Sequence, residues 1–196
     1  MWPILAAALV TVAIIGERIF WWARLHSSRD SKRLEQVFAA IEQGDFQQAT
    51  QSSKESTDPV VRTLWYGLTH HHTSLQGALQ IAAGAELQRA GRFLTALDTM
   101  VTLAPLLGLL GTVSGIFRTF LAIGNASVEG AMAQVTGGIG EALIATMCGL
   151  GIAIVALIPL NYFTARHAQL QFELEAAATN LEVMVSSARN RGPQPA

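Results

Sequence analysis

Charge is what this sequence is short of. Only 14% of its 196 residues are Asp, Glu, Lys or Arg, where soluble domains carry about 25%. The charges present nearly cancel, leaving a formal net −1, so nothing supplies the basic face that nucleic-acid binding requires. Cysteine is almost absent. The single one, Cys148, rules out an intrachain disulfide, and no cysteine pair has metal-ligand spacing. Cys148 lies beside Gly149 inside an apolar stretch and reads as a small packing residue. What the chain does have is hydrophobic side chains, 51% of the total. They are gathered into three blocks instead of being spread as a soluble core needs.

The first block covers residues 1–23. Residues 2–16 carry no charge; Glu17 and Arg18 follow, then Ile19-Phe20-Trp21-Trp22. A cleaved signal peptide would want basic residues before the apolar run and small residues after it, and neither is there. An uncleaved membrane helix is expected, with Trp21 and Trp22 in the aromatic belt and Arg18 and Arg24 snorkelling to the surface. The second block, 99–123, has Arg118 as its only charge, and the third, 131–165, has only Glu141. A crossing helix needs about 20 residues, and neither block shows the polar face of an amphipathic surface helix. An all-α integral membrane protein with three transmembrane helices follows.

The polar segment 24–98 also reads as helical. Leu34, Val37, Phe38 and Ile41 recur at helical spacing, Asp58-Pro59 marks a turn or helix start, and a run from about 60 to 72 precedes another from about 75 to 96. That last run has the character to continue into the second membrane helix. His70-His71-His72 has no accompanying acid or cysteine cluster and reads as solvated surface. The tail, 166–196, places Leu170, Leu174, Leu181 and Val185 on one side, and its proline-containing end reads as disordered. Basic residues set the orientation, because Lys- and Arg-rich loops stay in the cytoplasm. Arg24, Arg29, Lys32, Arg33, Lys54, Arg62, Arg89 and Arg92 lie between the first two blocks, and Arg166, Arg189 and Arg191 follow the third. The turn 124–130 has none. The N-terminus and that turn are therefore expected outside, in the periplasm, and the polar segment and tail inside.

Two stretches carry most of the information. One is Leu103-Ala-Pro-Leu-Leu-Gly-Leu-Leu-Gly-Thr-Val-Ser-Gly-Ile-Phe117; the other is Gly140-Glu-Ala-Leu-Ile-Ala-Thr-Met-Cys-Gly-Leu-Gly-Ile-Ala-Ile154. In the first, Gly108, Gly111 and Gly115 bare parts of the helix. In the second, Gly138, Ala142, Ala145, Gly149, Ala153 and Ala156 form a stripe of small residues. Small residues let membrane helices approach closely. Their number suggests a partner surface, since three helices alone offer little room to use them all. A threonine in a membrane helix commonly bonds back to its own backbone, which is the plain reading of Thr112 and Thr146. An acid in a membrane span is costly and usually functional. Glu141 thus reads as a proton-accepting or pore-lining carboxylate, or as a headgroup contact near the outer end of its helix. Glu141 and Thr146 are about 140° apart on an ideal helix, so both cannot point squarely into one narrow pore. Arg118 reads as an outward-snorkelling residue.

Both stretches, in this order, resemble the second and third membrane helices of the ExbB/TolQ branch of the MotA/TolQ/ExbB proton-channel family, and Met-Trp-Pro-Ile-Leu with Gly-Glu-Arg is similar to its first. The resemblance implies long helices extending into a cytoplasmic helical region and a homo-oligomeric ring, pentameric in the family, in the bacterial inner membrane. The ring would surround an ExbD- or TolR-like single-helix partner bearing a membrane aspartate. Thr112 and Thr146 would then face that aspartate, and proton flow would drive work on a TonB- or TolA-like periplasm-spanning protein. A hydroxyl can donate and accept at once, so it can pass a proton without a buried charge. No large cytoplasmic domain like that of flagellar MotA stators is visible, which points away from flagellar rotation. The other classes considered are a non-conducting scaffold that stabilises a partner helix, an enzyme and a small-molecule transporter. No catalytic, metal or phosphate motif supports an enzyme, no cofactor is implied, and no repeat with broken helices supports a transporter.

Overall fold

A computed structural model describes residues 2–123 and 128–190 of the chain. Every regular element there is an α-helix: α1 (Trp2–Ser27), α2 (Ser31–Glu42), α3 (Phe46–Ser53), α4 (Pro59–Thr69), α5 (His71–Ala90), α6 (Leu94–Ile123) and α7 (Val128–Asn190). Three of these are long and apolar enough to cross a membrane, and they carry the three blocks of the sequence. The chain divides into two compact units. One comprises Met1–Ile19 and Phe93–Phe163, the other Phe20–Arg92 and Thr164–Ala196.

The second unit is built as a water-soluble protein would be. Asp30, Asp45 and Asp58 each cap a helix, their carboxylates accepting from the backbone N–H of Arg33 (3.0 Å), Gln48 (2.8 Å) and Val60 (2.8 Å). Each such cap is worth about 1 kcal/mol. Pro59 opens α4, where its missing N–H costs nothing. Gly44 turns the chain between α2 and α3 at φ 78°, a backbone conformation that favours glycine. Asp58 also accepts from the backbone N–H of Asp30 at 2.9 Å, tying the start of α4 to the start of α2. Val37 and Ile41 from α2, Val61 and Leu64 from α4, Leu79 from α5, and Leu174 and Leu181 from α7 form a closed core. Fully burying one such side chain contributes about 1.5–3 kcal/mol. Trp21 and Trp22, half-buried, pack against this core.

Three boundaries differ from expectation. The third polar run does not flow into the second membrane helix: α5 ends at Ala90, Phe93 takes a left-handed φ of 63°, and α6 begins at Leu94. α1 extends to Ser27, four residues past its expected end. α7 begins at Val128, inside the expected turn 124–130, and continues as one helix of 63 residues. Residues 124–127 of that turn and the expected disordered end, 191–196, lie outside the described residues. So do the side chains of His71 and His72; the His70 ring stacks on Tyr66 at 4.3 Å. Pro105 and Pro159 sit within α6 and α7, as membrane helices tolerate.

Arg18 departs most from expectation. It was expected to snorkel, but it is 1% exposed and held by Glu17 through two nitrogens, at 2.5 and 2.8 Å. Its guanidinium lies 5.7 Å from the centre of the Phe93 ring. A buried charge is tolerated when it is paired and hydrogen-bonded, and the adjacent carboxylate supplies that pairing without a long side-chain excursion.

Candidate functional site: the seam between α6 and α7

The small residues of the two motifs meet each other. A Cβ added to Gly149 would stand 2.5 Å from the Ala104 carbonyl oxygen, and one added to Gly108 would stand 3.0 Å from the Cα of Thr146. At Gly111 it would meet the Ala145 methyl at 2.6 Å, at Gly115 the Ala142 methyl at 2.9 Å, and at Gly138 it would collide with the Thr119 hydroxyl. Ascending numbers on α6 thus meet descending numbers on α7, and the pair is antiparallel. Ala142 and Ala145 are buried, as are Ala153, Ala156, Leu160 and Phe163 further along α7. The seam therefore occupies Gly108, Gly111, Gly115, Gly138, Ala142, Ala145 and Gly149 within one chain. The inference that so many small residues need a second chain is corrected on that point. What the unit leaves uncovered is bulky: Leu109, Val113, Phe117, Phe120, Leu143, Met147, Ile154 and Ile158 are all exposed, which suits a lipid surface.

At the middle of the seam stand the two threonines. The Thr146 hydroxyl donates across the seam to the Gly108 carbonyl at 3.0 Å, and its oxygen lies 3.4 Å from that of Thr112. The hydroxyl has a single proton, so the shorter contact is the bond and the longer one places two hydroxyls side by side. Thr112 donates back along its own helix to the Leu109 carbonyl at 2.7 Å. Gly108 makes the crossing possible: with no side chain there, α7 comes close enough for Thr146 to reach a carbonyl of the neighbouring helix. Both residues are half-buried, and a hydroxyl that donates one hydrogen bond still has lone pairs to accept with.

Glu141 does not join them. It is exposed on α7 while its neighbour Ala142 is buried in the seam, in keeping with the angular separation that the sequence required. Arg118 is likewise exposed on α6. Two further hydroxyls of this unit are buried, and the sequence pattern alone did not single them out. Thr119 donates to the Gly115 carbonyl at 2.9 Å, and Thr11 of α1 donates to the Ala7 carbonyl at 2.8 Å. Thr119 follows Thr112 by seven residues, two helical turns on the same face, and that spacing was available as a signal. Among the described residues no group of three His, Cys, Asp or Glu side chains could hold a metal ion.

Helices of lipid length, an apolar exterior and a glycine–alanine seam define a multi-pass membrane protein. Its family is shown by comparison: the chain belongs to the MotA/TolQ/ExbB proton channel family, whose sequence model matches residues 46–176. Similar proteins agree. A Synechocystis sp. protein named for biopolymer transport, ExbB-like 3, is 35% identical over 177 residues, covering 88% of this chain and 83% of its own. A second from the same organism, ExbB-like 1, is 33% identical over 190 residues, covering 94% of this chain and 74% of its own. The Tol-Pal system protein TolQ of Pseudomonas aeruginosa is 43% identical over 94 residues, 47% of this chain and 40% of its own.

Proposed function

We propose that this chain is the channel-forming subunit of a proton-driven motor in the bacterial inner membrane, with its N-terminus in the periplasm and its C-terminus in the cytoplasm. Several copies, five on the family pattern, surround the membrane helix of an ExbD- or TolR-like partner. Proton flow past that partner's aspartate performs work on a TonB- or TolA-like protein. The observation that carries the reading is the pair of hydroxyls, Thr146 and Thr112, 3.4 Å apart beside the Gly108 carbonyl. The Thr146 proton can leave that carbonyl for water or a carboxylate while the hydroxyl oxygen accepts another, so charge need never rest on the chain itself. One proton crossing 100 mV releases about 2.3 kcal/mol, and several would be needed for each mechanical step.

A second reading has its own support. Both hydroxyl protons are already engaged with backbone carbonyls, as they would be in a non-conducting scaffold whose threonines only brace the helices. Co-reconstitution with the aspartate-bearing partner in vesicles separates the two. The proton-channel reading expects the double variant Thr112→Ala/Thr146→Ala to assemble with the partner but lose at least tenfold in flux. The scaffold reading expects assembly to weaken and no flux in either protein.

A further inference from the structure

We propose that Arg118 and Glu141 are each other's counter-ion within one chain, so that Glu141 is a held charge and not a proton carrier. They are the only charged residues in their respective apolar blocks. An ionised side chain facing hydrocarbon is expensive and usually finds a partner. Both are exposed, and among the described residues neither makes an ion pair.

The seam fixes where they stand. Thr112 and Thr146 lie on the same side of it, because their hydroxyl oxygens are 3.4 Å apart. Arg118 is six residues beyond Thr112, about 120° round α6 by the short way, and Glu141 is five residues before Thr146, about 140° round α7. Because the helices are antiparallel, these two rotations have opposite hands when viewed from one end. Both sweep through the seam, and both residues emerge on the side opposite the threonines. Their depth agrees as well. Thr119 meets Gly138 and Gly115 meets Ala142, so Arg118 stands level with Ile139 and Glu141 level with Ile116. The offset is about 3 Å along the axes, less than one helical turn. At a glycine–alanine seam the helices are as close as helices come, and an arginine side chain spans the remaining gap. In water such a pair gains little and stays open; in lipid, pairing spares each charge a separate reach to the headgroups.

This pairing rests on the membrane reading of α6 and α7 and not on proton conduction, so its main test is structural. The purified full-length protein in lipid nanodiscs is unfolded thermally as wild type, Arg118→Gln, Glu141→Gln and the double variant. Each single change is expected to lower the midpoint by about 5 °C, because it strands the opposite charge. The double neutralisation and the exchange Arg118→Glu/Glu141→Arg should each recover most of that loss, and Arg118→Lys should behave as wild type. Losses that simply add in the double variant overturn the pairing. So does rescue that appears only when the single variants Arg118→Glu and Glu141→Arg are mixed, since that places the partners on different copies. In vesicles with the aspartate-bearing partner, the double neutralisation should conduct like wild type, whereas a carrier role for Glu141 leaves it without flux. If wild type itself conducts nothing, the channel reading falls while the stability pattern still decides the pair.

Discussion

The two units of this protein solve the same packing problem with opposite residues. In the second, α7 contributes Leu170, Leu174 and Leu181 to a closed core; in the first, it contributes Gly138, Ala142, Ala145 and Gly149 to a seam. The difference follows from the surroundings. In water, large apolar side chains drive association because burying them removes hydrated surface. In lipid that drive is absent, since the surroundings are as apolar as leucine, and association rests on close contact between backbones. Bulk accordingly moves to the outside in the first unit, where Phe117, Phe120 and Ile158 are exposed. It moves to the inside in the second.

Four substitutions sharpen or break that contrast. The largest effect belongs to the leucine core: Leu174, fully buried, changed to Ala should cost about 2–5 kcal/mol, read as a loss of thermal stability in detergent. Next is Gly149→Ala, which adds a single methyl but places it 2.5 Å from the Ala104 carbonyl. Overpacking against backbone should cost about 1–3 kcal/mol and weaken the Thr146 bond to Gly108, visible as slowed flux even where the protein still folds. A core alanine such as Ala49, which sits among larger side chains, should show no comparable coupling to flux. Smaller is Asp58→Ala, which removes the caps on Val60 and Asp30 and should cost about 1–2 kcal/mol, confined to the second unit in hydrogen exchange. The smallest is Ile158→Ala. At 71% exposed on a lipid face, it should change stability by no more than about 0.5 kcal/mol. A large loss there would mean that a protein, not lipid, covers that face.

Much of this was written in the residue pattern, and the misses have definite causes. The three spans were legible because each is an uninterrupted apolar block of membrane length. Aspartates at 30, 45 and 58 announce their helices by cap chemistry, of which only the last was read in advance. Leu170, Leu174 and Leu181 declared a buried side through their spacing. The seam residues were recognised as packing residues. Which helix they pack against was not, because a glycine stripe states that something comes close without saying what. The break at Phe93 was invisible because neither proline nor glycine occupies it; Gly91, two residues earlier, is the nearest hint. Arg18 misled for a related reason: a basic residue at the end of an apolar run ordinarily reaches for solvent, and here the neighbouring Glu17 carboxylate and the Phe93 ring give it partners inside. The crossing bond from Thr146 to Gly108 links residues 38 positions apart, beyond anything periodicity can express.

The central claim is that the Thr146 hydroxyl carries protons and does more than brace the helices. Proton flux in vesicles containing the aspartate-bearing partner, compared between Thr146→Ser and Thr146→Ala at equal assembly, tests it most directly. Serine keeps the hydroxyl and should conduct within a fewfold of wild type, while alanine should lose at least tenfold. Equal flux through the serine and alanine variants would contradict it.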